Sequence, residues 1–195
     1  MLASITPLGE RGRGATWSVT ISAFVIAATA AGAALGALLG LLGHAALGGV
    51  GGRERLAGLA LALAVALVLD LRPSGAPGPR RQVNERWLDE FRGWVYGLGF
   101  GAQLGLGVST VVTSAATYAA FLAAFLTANA GRGALVLGCF GAVRGLTPLV
   151  AAHVRRPDQL LSLHRRVERW RAPAARLQLG AVGAILLASL TGALT

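Results

Sequence analysis

The stretch from Trp94 to Asn129 contains no charged residue. Glycines crowd its first half, hydroxyl side chains fill its middle, and an apolar run of Ala, Leu and Phe closes it. The stretch exceeds the roughly 20 residues that an upright transmembrane helix needs. We therefore expect it to tilt or to break, and a break at membrane depth requires surrounding protein or a wet cavity.

The whole chain is apolar, with 54% hydrophobic and 13% charged residues, whereas a soluble domain has about a quarter charged residues. We predict an all-α integral membrane protein of about five transmembrane helices, long or broken at 17–47 and 94–128. The first fourteen residues lack the apolar core of a signal peptide, so the first apolar segment is expected to be a retained anchor. The predicted apolar segments are 17–47, 54–71, 94–128, 133–153 and 176–194.

The arginines predict the topology. The net charge is +10 and every basic residue is arginine. Fourteen arginines lie in the N-terminal segment and the second and fourth loops, against three on the opposite side. Cytoplasmic loops carry this excess, so we predict a multi-pass protein of a bacterial cell (inner) membrane, with the N-terminus cytoplasmic and the C-terminus outside. Arginines grouped between apolar runs do not indicate nucleic-acid binding.

Two cytoplasmic segments are amphipathic. Val83, Trp87 and Phe91 share one face of 73–93, and a similar apolar face in 155–172 opposes four arginines. Such helices lie in the headgroup plane, so the bilayer and its anionic headgroups are the expected partner; docking of a partner protein is the alternative. The predicted organisation is a two-helix half at 1–72, the linker 73–93 and a three-helix half at 94–195. The apolar face of the second segment is formed by Leu160, Leu163, Val167 and Trp170.

Glycines recur at four-residue spacing in the two longest apolar segments. Small residues on one helix face allow close helix packing in lipid. We interpret them as helix-packing residues, within one subunit or between subunits, in a homo-oligomer or with a membrane partner subunit. They are Gly32, Gly36 and Gly40 in the first segment, and Gly97, Gly101 and Gly105 in the third.

Polar residues point to a site between 94–128 and 133–153. Arg144 is the only arginine deep in an apolar run, and because a guanidinium in lipid costs several kcal/mol it should face protein or water. A hydroxyl cluster in 109–117 could line a cavity at a helix break, or could only bond to backbone and neighbouring helices. The candidate substrate-binding residues are Gln103, Ser109, Thr110, Thr113, Ser114, Thr117, Arg144 and Thr147.

No catalytic or cofactor motif accompanies this cluster. The glycine strings lack the strand and acidic residue of a dinucleotide site, and a P-loop needs a lysine. The three histidines are far apart, so no metal site is predicted. Asp70 lies at a segment end, which argues against a proton relay built on membrane carboxylates. We expect a protein that is not an enzyme and that uses no cofactor.

The order of segments resembles the membrane domain of the DsbD and CcdA thiol-electron carriers, within the LysE-like transporter superfamily. The resemblance rests on three segments: AGAALGALLGLLG, RERLAGLALALAVALVLDLRP, and YGLGFGAQLGLG ahead of a polar centre. It implies two inverted three-helix repeats, here incomplete as a 2 + 3 arrangement lacking the first helix. Those carriers use a cysteine pair, whereas this chain has only Cys139, and thiol–disulfide exchange needs a second sulfur.

These features favour a membrane transporter or channel-like subunit for a small polar or anionic solute. One alternative is a non-catalytic accessory or assembly protein that binds partner subunits. Another is a degenerate thiol-redox membrane protein related to CcdA, in which Cys139 would act with a partner's thiol.

Overall fold

The computed structural model describes residues 5–72, 90–107, 112 and 114–195. Within these residues the chain is helical and has no strand. The helices are α1 (Pro7–Gly12), α2 (Trp17–Ala46), α3 (Gly52–Leu71), α4 (Gly93–Leu106), α5 (Ala116–Leu126), α6 (Ala130–Leu146) and α7 (Pro157–Leu194); a 3₁₀ helix, Thr147–Ala151, extends α6.

Three of the described helices are long and apolar enough to cross a membrane: Trp17–Ala46, Ala130–Ala151 and Pro157–Leu194. Their length and composition are compatible with a membrane protein. Helix α3 has 20 residues but carries charged side chains in its first turn. Helices α4 and α5 have 14 and 11 residues, so neither reaches across a hydrocarbon core of about 30 Å at 1.5 Å per residue.

The last helix differs from the expected pattern. The segment 155–172 was predicted to be an amphipathic loop helix separate from the span at 176–194, but both belong to the single 38-residue helix α7, which continues through Pro173. Proline removes one backbone hydrogen bond, which kinks a helix without having to end it. Of the predicted apolar face, Leu163 is buried while Val167 and Trp170 are exposed.

Helix α2 is the centre of the bundle, and the glycine stripes lie at its crossings. A Cβ at Gly32, Gly36 or Gly40 would overlap the backbone oxygen of Leu137, Gly133 or Asn129 respectively. A Cβ at Gly97, Gly101 or Gly105 would collide with the backbone oxygen of Thr20, Phe24 or Ala28 in the same way. Small residues thus bring α4 and α6 into backbone contact with α2.

The same contacts give the direction of each helix. Successive glycines of α4 meet later residues of α2, so α4 runs parallel to α2, whereas α6 runs antiparallel to it. Helix α5 ends where Phe125 lies against Gly43, close to the C-terminal end of α2. Helices α4 and α5 therefore follow α2 in the same direction, one after the other.

Helix α5 also joins a second group of helices. Leu63 and Ala66 of α3, Ala119 of α5 and Val182 of α7 form one buried apolar cluster.

The short helix α1 closes the end of the bundle from which α2 starts. Its Leu8 N–H donates to the backbone oxygen of Val154, 3.1 Å away in the turn that precedes α7.

Candidate solute site at a helix break

The charge-free stretch is broken between α4 and α5. Helix α4 ends at Leu106, and Gly107 follows with φ of +70°, a left-handed conformation that ends helices and favours glycine. Helix α5 begins only at Ala116. The break lies where the hydroxyl cluster of the sequence predicts it. Val112, Ser114 and Ala115 are buried there.

The break lies beside the middle of α2. The last turn of α4 contacts α2 at Ala28, through Gly105, and the last turn of α5 contacts it at Gly43. The C-terminus of α4 and the N-terminus of α5 are the two ends of the break. A helix C-terminus is partly negative because its last carbonyls have no partner within the helix, and a helix N-terminus is partly positive because its first N–H groups have none. The end of α4 is therefore partly negative and the start of α5 partly positive.

Asp70 binds the partly positive N-terminus of α5. Its carboxylate, near the end of α3, accepts hydrogen bonds from the backbone N–H of Ala115 at 2.7 Å and from the hydroxyl of Ser114 at 2.6 Å. The Ser114 oxygen in turn accepts from the N–H of Ala116 at 3.0 Å. A carboxylate from a neighbouring helix thus caps α5, whose own preceding residue, Ala115, has no side chain that could.

Gln178 completes this network from α7. Its side-chain amide donates to the Ser114 hydroxyl oxygen at 2.5 Å and to the Asp70 carboxylate at 3.3 Å. Ser114 therefore uses its one hydroxyl hydrogen and both lone pairs, since it donates once and accepts twice. Side chains from α3 and α7 meet at the first turn of α5, so the network holds three helices at the break.

Arg144 lies at the other end of the break. A Cβ built on Gly107 would be 3.5 Å from the Arg144 Nη1 atom, which puts the guanidinium beside the C-terminus of α4. Its central carbon is 5.2 Å from the centroid of the Phe140 ring, a cation–π distance. The half-buried arginine thus places a positive charge next to the partly negative helix end.

Three of the other predicted residues belong to the described part of the chain. Gln103 is half-buried on α4, one turn before Gly107, and Thr117 is buried in the first turn of α5. Thr147 is exposed, and its hydroxyl donates to the backbone oxygen of Arg144, one turn earlier, at 2.7 Å. Ser109, Thr110 and Thr113 lie outside the described residues.

Sequence reasoning missed Asp70 and Gln178. Asp70 was discounted because it lies at the end of an apolar segment, yet that end meets the break. The available signal was composition: Asp70 is the only charged residue between Leu56 and Leu71, and Gln178 is the only polar side chain between Arg176 and Ser189. Lone polar residues in such runs indicate a buried partner.

A second polar cluster lies where α1, α2 and α4 meet. The Glu10 carboxylate, fully buried, accepts from the hydroxyls of Thr20 at 2.7 Å and Tyr96 at 2.5 Å and from Arg13 at 2.6 Å. Burial by itself lowers the pKa of Arg13, but its hydrogen bonds to Glu10 and Tyr96 outweigh that effect and raise the pKa above its ordinary value. The cluster ties the N-terminal segment to two helices.

The residue types that bind metals are spread apart in the described part of the chain. No three His, Cys, Asp or Glu side chains come together there as a possible metal site. Cys139 is exposed on α6. Comparisons with family models, curated proteins and solved structures find no match for this chain.

Proposed function

We propose that the protein is a membrane transporter or channel-like subunit that moves a small polar or anionic solute past the α4–α5 break. One observation carries the proposal: charged side chains of opposite sign, from separate helices, lie at the two ends of that break. Asp70 binds the N-terminus of α5, and Arg144 lies beside Gly107 at the C-terminus of α4.

Broken helices form the solute sites of many transporters, because half-helix ends and freed backbone groups can replace the hydration of a solute. Here Arg144 would attract an anionic or strongly polar group. The Asp70, Ser114 and Gln178 network would accept and donate hydrogen bonds on the other side. A polar solute held between opposite charges pays a smaller free-energy cost on leaving water than one in an apolar channel.

In the proposed topology α4 and α5 together make one broken crossing, between α3 and α6, and the chain crosses five times. The parallel course of α2 and of α4 with α5, and the antiparallel course of α6, support this order. Arg53, at the start of α3, donates to the backbone oxygen of the C-terminal Thr195, so these two points share one end. The arginine asymmetry assigns that end to the outside. The two unequal halves would form an incomplete inverted repeat of the DsbD and CcdA kind.

The experiment is solute flux into proteoliposomes, followed by osmotic light scattering with glycerol, glycine and formate as probes. We expect flux of at least one probe, and we expect Arg144→Gln and Asp70→Asn to reduce it about tenfold or more, as loss of a hydrogen bond to a charged group does. Arg132→Gln, on the same helix as Arg144 but exposed, and Asp158→Asn should leave flux unchanged.

A purely structural role would give a different result. If Asp70 and Arg144 only neutralise the helix ends, both variants would lower the melting temperature in detergent while flux per folded molecule stays at the original value. That outcome, or no flux of any probe above that of empty liposomes, would count against the transporter.

A second candidate, an accessory protein that holds a membrane partner, is favoured by the length of α7. Its 38 residues extend about 57 Å at 1.5 Å per residue, nearly twice the hydrocarbon thickness. The half that carries the arginines also exposes Trp170 and Val167. Co-purification of a defined partner that Trp170→Ala abolishes and Trp94→Ala retains, together with no flux, would support this role; Trp94 is likewise exposed.

A further inference from the structure

The segment before α2 closes one end of the helix bundle, and Ile5 is buried inside that end. Phe24 lies one turn before Ala28 along α2, and Phe100 lies about two turns, or roughly 10 Å, before Gly107 along α4. Ile5 packs against both phenylalanines, so its contacts lie between the helix break and the end at which α2 and α4 start. The buried residues of this Ile5 cluster are Ile5, Ile21, Phe24, Tyr96 and Phe100.

The Ile5 cluster extends towards Arg144. Its partly buried neighbours include Val25 and Leu104, and a Cβ at Gly145, the residue after Arg144, would lie 3.3 Å from the Cα of Val25. Apolar side chains therefore fill the space between the turn that carries Arg144 and this end of the bundle. An apolar constriction excludes polar solutes and water. Of the described residues in the cluster, Ile5 alone belongs to the segment before α2.

Polar contacts hold the segment in this position. The Glu10 carboxylate is fully buried and accepts hydrogen bonds from the hydroxyls of Thr20 on α2 at 2.7 Å and of Tyr96 on α4 at 2.5 Å. Arg13 donates to the same carboxylate at 2.6 Å. A buried carboxylate depends on such donors, because removing one leaves its charge poorly compensated. The position of Ile5 is thus stabilised by a few hydrogen bonds to one charged group.

The segment also has a hinge and room to move. Gly14 follows α1 with φ of +66°, which favours glycine, and nothing lies within 4 Å of its Cβ position. Two cavities, of about 560 and 570 Å³, border the segment, one towards the start of α4 and one towards the turn before α7. A backbone hydrogen bond from Leu8 to Val154 crosses on that second side. A short segment joined to α2 through a glycine can swing aside while the long helices stay packed.

We propose that the segment 5–14 is a gate for the solute path, in which Ile5 closes the path and Glu10 holds the closed position. This inference rests on the proposed function, because a gate requires a path. When the Glu10 contacts break, the segment turns about Gly14 and Ile5 leaves its cluster. The space between Arg144 and the end of the bundle that the arginine asymmetry assigns to the cytoplasm then opens.

Cysteine labelling tests the gate without relying on transport. In a full chain that carries Cys139→Ser, Leu104→Cys places a thiol on the side of the Ile5 cluster that faces the break. The protein in maltoside micelles is mixed with a charged maleimide, and the labelling rate is measured by mass spectrometry. Ser162→Cys, at an exposed position of α7, is labelled in parallel as the control thiol.

We expect the Leu104→Cys thiol to react slowly in the closed protein. Three variants should each raise its rate about tenfold or more, because labelling passes through the open state and each variant removes a contact of the closed state. They are Glu10→Gln, Tyr96→Phe and Ile5→Ala. Glu168→Gln, which changes an exposed carboxylate of α7, should leave the rate unchanged. Circular dichroism and the melting temperature confirm that each variant is folded.

Solute flux into proteoliposomes then separates the gate from the path. The three variants should also raise the flux of the transported probe. Faster labelling without flux of any probe would support a moving segment and count against the proposed function.

Three results would overturn the gate. One is an unchanged labelling rate of Leu104→Cys in all three variants, whether or not the protein moves a solute. Another is an equal rise at Ser162→Cys, which would show general loosening of the fold. The third is faster labelling with measurable flux that stays at the parent value, because the segment would then not limit passage of the solute.

Discussion

The hydroxyl of Ser114 donates a 2.6 Å hydrogen bond to the carboxylate of Asp70, forty-four residues earlier in the chain. This bond joins the end of α3 to the start of α5 and places an acidic group at the helix break. Local sequence around either residue does not reveal the other. A carboxylate at the end of one apolar segment thus accepts hydrogen bonds from residues in the middle of another.

Asp70→Ala should lower the free energy of unfolding by about 1–2 kcal/mol, because it removes the acceptor for the Ala115 N–H and Ser114 hydroxyl at the start of α5. Asp70→Asn should cost less, because an amide oxygen still accepts one of these bonds. The measurement is unfolding of the purified protein in mixed micelles. Asp158→Ala, which removes an exposed carboxylate, is the control; an equal loss there would rule out a specific role of the cap.

Gly105→Ala should destabilise the fold by about 1–3 kcal/mol, the usual cost of forcing an extra carbon into a packed contact. The new Cβ would collide with the backbone oxygen of Ala28 and push α4 away from α2. Gly183→Ala is the matched control, since nothing lies within 4 Å of its Cβ position. It should instead stabilise the protein by about 0.5–1 kcal/mol, because alanine favours a helix. Equal shifts for both variants would contradict tight packing between α4 and α2.

Glu10→Ala should release the N-terminal segment. The substitution strands the hydroxyls of Thr20 and Tyr96 and leaves the buried part of Arg13 without its carboxylate, at a cost of about 2 kcal/mol or more. We expect trypsin to cleave after Arg11 and Arg13 much faster than in the parent protein, as followed by mass spectrometry. Glu168→Ala removes an exposed acid on α7 and should leave cleavage unchanged. Slow cleavage in both variants would show that Glu10 does not hold α1 in place.

Pro173→Ala should raise the free energy of unfolding by up to about 3 kcal/mol, because it restores a backbone hydrogen bond within α7 and removes a ring clash. Pro157→Ala tests the same exchange at the first position of the same helix, where proline is well tolerated, and should change stability little. If Pro173→Ala has no stabilising effect, α7 would be two helices in solution, as the sequence pattern predicted.

Several elements were predictable because their causes are local. Helices α2, α3 and α6 follow apolar runs whose lengths the sequence shows directly, and the break follows from a charge-free stretch that is too long and contains hydroxyls. Gly107 marks where α4 ends. The continuity of α7 was not predictable, because Pro173 and the change in amphipathic character around it are typical of a loop.

The sequence by itself determined that this chain is helical, with glycine-lined helices and apolar segments long enough to cross a membrane, since composition and periodicity reflect the environment of each segment. Only the tertiary structure decided which polar groups meet. Asp70 and Gln178 lie on α3 and α7, and Ser114 lies just before α5. Glu10, Thr20 and Tyr96 lie on α1, α2 and α4. Hydrogen bonds between such distant positions depend on helix direction and register. For α4 and α6 these are set by which glycine faces which backbone oxygen along α2, and for α3 and α7 by their apolar cluster with α5.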